Sequence, residues 1–120
     1  MILVTGAFAS GRLSAVLKEF GLDEKSVFDL NSNDISTLKE EKIIYHAEKL
    51  AEHFPASAEK LTDTFQEKIV ITSEVGSGLV PIEKSDRIYR ESVGRMNVIL
   101  AENAEEVYRV CCGIMVKIKG

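Results

Sequence analysis

Gly6 and Gly11 bracket a short run of Ala7, Phe8, Ala9 and Ser10, and Arg12 follows directly. Glycines at that spacing let backbone N–H groups turn inward around an anion, and a helix N-terminus behind them adds partial positive charge. The chemistry this suggests is nucleotide-phosphate binding by Gly6, Ala7, Phe8, Ala9, Ser10, Gly11 and Arg12. The spacing fits G-x-x-x-x-G-K-[ST] except at its last two positions. Arg12 stands where the lysine belongs; it keeps the charge, but its planar fork does not replace a compact ammonium. Leu13 stands where the magnesium-binding hydroxyl belongs and cannot bind a metal. Ser14 lies about 100° further round a helix, a poor stand-in. If the loop holds a phosphate, Arg12 is its expected main contact. The competing reading is an ordinary glycine turn between a strand and a helix.

Other residues carry weaker signals. Asp29 ends the apolar stretch Ser26 to Leu30, where phosphate-loop proteins place a carboxylate that orients magnesium; aspartates also end ordinary strands. His46 and His53 are seven apart, hence on one face of a helix, but helical metal pairs sit closer and a third ligand is lacking, so half-buried or solvated histidines are expected. Glu74 opens a loop punctuated by Gly76 and Gly78 at a strand's C-terminal end, the edge where open α/β sheets bind ligands. Cys111 and Cys112 are adjacent; a mutual disulfide would be strained, and two reduced, buried, small apolar residues are expected.

The elements that must position these residues alternate in type. Ile2 to Val4 reads as a buried strand, and Leu13 opens a helix that Gly21 ends. A strand at Ser26 to Leu30 is followed by a long helix capped by Asn33 or Asp34 and running to about Phe54, where Pro55 breaks it. Ala56 to Gln66 is a shorter helical piece, and Lys68 to Ser73 is the clearest strand. Ser85 or Asp86 caps a helix to about Asn103, inside which Gly94 hints at a close packing contact. Glu106 to Cys112 and Ile114 to Ile118 are strands turning at Gly113. The pattern predicts one α/β domain over residues 1–120: a mostly parallel sheet, helices on both faces and a C-terminal antiparallel hairpin.

A chain of 120 residues, 45% hydrophobic and 28% charged, has the composition of an ordinary globular domain. Its net charge of −4 argues against a nucleic-acid partner, for there is no basic run to release counterions. No stretch approaches the ~20 apolar residues of a membrane span. The sequence opens in strand-like residues with no leader, and a cytoplasmic location is expected.

The stretch Ile71 to Pro81, the stretch Arg87 to Asn97, Glu105 to Tyr108 and Gly113 to Lys119 together resemble the adenosylcobinamide kinase/adenosylcobinamide-phosphate guanylyltransferase family. Ile2 to Gly11 is similar to that family's opening strand and phosphate loop. The loop N-E-V-G-x-G-x-V-P and the helix R-x-Y-R-[DE]-x-x-G-x-x-N are specific in combination, and the one departure is Ser73 for the asparagine. The resemblance implies a P-loop-type three-layer fold, commonly a homotrimer. It also implies two activities: phosphorylation of the aminopropanol hydroxyl of adenosylcobinamide, then GMP transfer through a guanylylated histidine.

Family members are longer, and the segment this chain lacks, between the first helix and the Lys68 strand, carries that histidine. His46 lies in an unrelated pattern and is not its counterpart, so guanylyltransfer is expected to be lost. The implied cofactor is GTP or ATP, with Arg12 and Leu13 weakening the case for Mg2+. Glu74 and Asp29 are the candidate catalytic acids, and Gly76, Gly78 and Arg90 the candidate substrate loop. The expected partners are a nucleotide and a cobinamide-type corrinoid. The alternative is a non-catalytic relative acting as a binding or oligomer-partner protein.

Overall fold

A computed structural model describes residues 1–7, 10–54, 56–74 and 84–120, without the Asp86 side chain. Phe8, Ala9, the Pro55 break, Gly76 and Gly78 lie outside the described residues. Strand β1 (Ile2–Gly6) is followed by helix α1 (Arg12–Phe20), which starts after Gly11 at φ 82° and ends at Gly21 at φ 63°. Both glycines occupy the left-handed region that a side chain disfavours, so the helix is framed at both ends by backbone chemistry. Strands β2 (Val27–Asp29), β3 (Ile43–Tyr45) and β4 (Ile69–Ile71) come next, with helix α2 (Ala58–Thr64) before β4. Helix α3 (Lys84–Asn103) and strands β5 (Glu106–Cys111) and β6 (Ile114–Lys119) complete the chain. Among the described residues, no helix is long and apolar enough to cross a membrane.

The six strands form one sheet in the order β2-β3-β4-β1-β5-β6. All neighbours are parallel except β5 and β6, which pair antiparallel. Residue alternation sends one set of side chains to each face. Val4, Ile43, Ile69, Ile71 and Val110 pack with Ala15 and Val16 of α1. Leu3, Ile44, Val70 and Val107 meet Leu61 and Phe65 beyond α2's start, and Val93, Met96 and Leu100 of α3. The predicted α/β architecture, with helices on both faces and a terminal hairpin, is the architecture observed. The connection out of β1 runs towards β2, whereas the one out of β4 runs back across β1 to β5. They depart in opposite directions, so the crevice of the sheet lies over the carboxyl ends of β1 and β4.

The long helix expected from Asn33 to Phe54 does not form. Asp34 caps only a 3-10 turn, Ile35–Thr37, accepting from the Ser36 N–H. Residues 43–45 become β3, inserted between β2 and β4, and Ala47–His53 forms a second 3-10 segment. The apolar stripe is interrupted by Lys39, Glu40, Glu41 and Lys42, while Ile43 and Ile44 are buried on opposite faces. A β-branched run buried on both sides fits a central parallel strand better than a helix.

Two smaller expectations also change. Cys111 and Cys112 are exposed rather than buried, because the chain turns there: Cys112 and Gly113 both have positive φ, the two-residue hairpin geometry. Around Gly94 no described residue lies within 4 Å of where a Cβ would sit, so the anticipated close packing is not seen among the described residues.

Candidate functional site at the carboxyl edge of the sheet

The glycine loop leaves β1 at the crevice. Gly6 is required there: a Cβ would stand 2.7 Å from Ser10 Oγ and 2.9 Å from the Val110 carbonyl. The loop folds on itself through Ser10 N–H to the Ala7 carbonyl, 3.1 Å. It is also held from outside, because the Gly113 N–H of the hairpin turn donates to the Ser10 carbonyl at 2.8 Å. Gly11 then begins α1 with no side-chain cap. The helix end therefore faces the crevice with its dipole uncapped by any side chain, as an anion site needs. Ser10 Oγ and Thr72 Oγ1 are buried here without hydrogen-bond partners among the described residues.

Arg12 lies along the same edge, engaged by residues just past the end of β4. Its side chain is buried, 4% exposed, and its guanidinium donates to the Thr72 carbonyl and, at 3.2 Å, to Ser73 Oγ. Glu48, itself 5% exposed, brings Oε1 to 3.8 Å from the guanidinium and accepts from Ser73 Oγ at 3.0 Å. Asn97 of α3 donates to the Ser73 carbonyl at 3.0 Å. Buried Arg12 and Glu48 and half-buried Ser73 and Asn97 thus form one cluster that ties α1, the 3-10 segment and α3 to the end of β4. A charge taken out of water is held when it is paired and hydrogen-bonded, and Arg12 has both.

The remaining candidates are spread along the same edge. Glu74 donates its N–H to the Gly6 carbonyl at 2.8 Å, and its Oε2 lies 3.1 Å from Arg109 Nε on β5, so it straps across β1. Asp29 ends β2, three strands from β1, or about 14 Å at the usual strand spacing. Its Oδ1 accepts from the Asn31 N–H at 2.9 Å and lies 2.8 Å from His46 Nδ1. Burial pushes the Asp29 carboxyl up, but the Asn31 and His46 hydrogen bonds and the His46 charge together hold it below its ordinary value. Arg90 is half-buried on α3. His53 is exposed beside Glu52, whereas His46 directly follows β3 with its ring stacked on Tyr45, centroids 3.8 Å apart. The Arg12 guanidinium lies 6.0 Å from the centroid of the same Tyr45 ring.

Three partnerships were not legible as such in the sequence: Glu48 with Arg12, His46 with Asp29, and the hairpin turn with the loop. Reading Ile43 to Tyr45 as a strand would have placed His46 at the ligand-binding edge. A cavity of about 680 Å³ lies at the opposite, amino-terminal edge, lined by Met1, Phe20, Leu22, Lys68 and Glu105, away from this chemistry.

A family model described as cobinamide kinase / cobinamide phosphate guanyltransferase matches residues 24–118. The chain belongs to this family. The bifunctional adenosylcobalamin biosynthesis proteins CobU of Salmonella typhimurium (strain LT2) and Escherichia coli (strain K12) are each 47% identical to it over 51 residues. That stretch is 42% of this chain and 28% of each relative, so the chain covers well under a third of the length of the relatives it matches. The family match begins at Glu24, after the glycine loop.

Proposed function

We propose that this chain is a shortened member of the family that acts in cobalamin metabolism and binds nucleotide phosphates at the loop from Gly6 to Arg12. The observation that carries this reading is the strand, glycine loop and helix set at the crevice of a parallel sheet, with Gly11 left-handed at the helix start. Backbone amides and the helix dipole supply the anion contacts, while Arg12, paired with Glu48, contributes by fixing the helix end. With Leu13 in place of a hydroxyl, and Asp29 three strands away, magnesium is held by the nucleotide more than by this chain. Guanylyltransfer is absent, and phosphorylation of a cobinamide-type corrinoid with GTP or ATP is the activity that remains to the site.

Calorimetric titration of GTP and ATP, with and without magnesium, tests the reading. Micromolar binding that Gly11→Val abolishes, in a variant shown by circular dichroism to stay folded, supports it. Failure of both nucleotides to bind under either condition overturns it. A second reading, a non-catalytic binding or oligomer-partner protein, is favoured by the exposed apolar Ile114, Val116 and Ile118 on the outer strand β6. Absent nucleotide binding together with self-association in sedimentation would select that reading, as a cytoplasmic homo-oligomer.

A further inference from the structure

The histidine at the end of β3 is held as a reactive histidine is held. His46 is not glycine yet sits at φ 59° and ψ 43°, a conformation that bulkier residues adopt at a cost and that concentrates at functional sites. It occupies the N-cap position of the Ala47–His53 segment, but its side chain makes no capping bond, so capping does not explain the strain. The ring is fixed twice, by stacking on Tyr45 at 29° between planes and by the 2.8 Å contact of Nδ1 with Asp29 Oδ1. Asn31 Nδ2 also lies 3.1 Å from Nδ1. Nδ1 cannot both donate to Asp29 and accept from Asn31. The shorter contact to the charged acceptor is the stronger, which places the proton on Nδ1 and leaves the Nε2 lone pair available.

We propose that His46 Nε2 is the proton acceptor for the hydroxyl of the corrinoid substrate, with Asp29 as the positioning residue that sets its tautomer. This rests on the phosphoryl-transfer reading above. His46 directly follows β3, two strands from β1, about 10 Å across the same carboxyl edge. The acceptor's hydroxyl would lie between His46 and a triphosphate held at the loop. As the alcohol oxygen bonds to the terminal phosphorus, the bond from that phosphorus to the nucleoside diphosphate breaks. The electron pair leaves with the diphosphate oxygen, and the hydroxyl proton passes to Nε2. The resulting imidazolium is stabilised by the Asp29 carboxylate. Among the described residues, the charged and titratable groups against the ring are Asp29 on β2 and Tyr45, whose own ring centroid lies 6.0 Å from the Arg12 guanidinium that Glu48 pairs.

The test combines nitrogen NMR of His46 with transfer kinetics, using cobinamide as acceptor and ATP or GTP as donor. An Nδ1-protonated neutral ring, with a fall of about 100-fold or more in kcat for His46→Asn at saturating substrates, upholds the proposal. Asp29→Asn should then mix the tautomers, lower kcat and move the acid limb of the pH–rate profile, changes that a merely structural aspartate would not produce together. A neutral ring protonated at Nε2, a His46→Asn kcat equal to wild type, or a wild-type protein that binds nucleotide yet transfers nothing to cobinamide each overturns the proposal and leaves phosphate binding standing. Absence of nucleotide binding by the wild type overturns the phosphoryl-transfer reading itself, and this proposal with it.

Discussion

Arg12 shows how one residue's environment decides its role. At the surface of the loop, a guanidinium would be a mobile anion contact. Buried against the Thr72 carbonyl, Ser73 Oγ and Glu48, it is a strut. Removing only one partner of a buried pair leaves the other charge without compensation, at a cost of about 3–5 kcal/mol, whereas replacing both by apolar groups is often neutral. Arg12→Met is therefore expected to lower unfolding stability by roughly 3 kcal/mol, and the double variant Arg12→Met, Glu48→Leu to recover most of it. Urea unfolding of the two singles and the double checks this. Additive losses in the double would mean that the two side chains are not coupled.

At the scale of elements, legibility followed local signals. Strands β1 and β4, helices α1 and α3 and the terminal hairpin were readable because each has its own punctuation: Gly11 and Gly21 around α1, Gly113 in the hairpin, and compact β-branched runs. Strand β3 was not, because Ile43 fell on the apolar stripe of a helical pattern running on to Phe54, and it is β2 and β4 on either side that specify the strand. The site suffered the same way. The loop was visible as glycines at a fixed spacing, but the partners of Arg12 and His46 come from distant segments, and no spacing rule connects residue 12 to 48 or 29 to 46. Gly94 offers a test at this scale. A Cβ there meets no described residue within 4 Å, and glycine in a helix interior costs about 1 kcal/mol against alanine. Gly94→Ala should raise stability by roughly 0.5–1 kcal/mol in urea unfolding at low protein concentration. A loss of stability that grows with protein concentration would show that a second copy packs closely on this face.

The molecule as a whole carries a net charge of −4, and several of its carboxylates are held by specific donors. Asp34 is lowered by the Ser36 N–H, and Glu106 by the Tyr108 hydroxyl at 2.7 Å and Lys117 at 3.0 Å; Asp29 and Glu41 are lowered as well. A carboxyl whose folded value lies below its unfolded one stabilises the protein above the unfolded value and loses that contribution as pH falls through the folded one. The unfolded references are 3.8 for the aspartates and 4.5 for the glutamates. Thermal midpoints should thus be flat from neutral pH to about pH 5 and fall steadily from about pH 4.5 downward, as these groups protonate and the net charge turns positive. The loss begins with Glu41, just before β3, and Glu106, at the open end of the β5–β6 hairpin, and continues with Asp34 and with Asp29 on the edge strand β2. Glu106→Gln should flatten the upper part of this acid limb and Asp29→Asn the lower part, as read by calorimetric midpoints across pH. Superimposable acid limbs for wild type and both variants would mean that general charge repulsion, rather than these held carboxylates, unfolds the protein in acid.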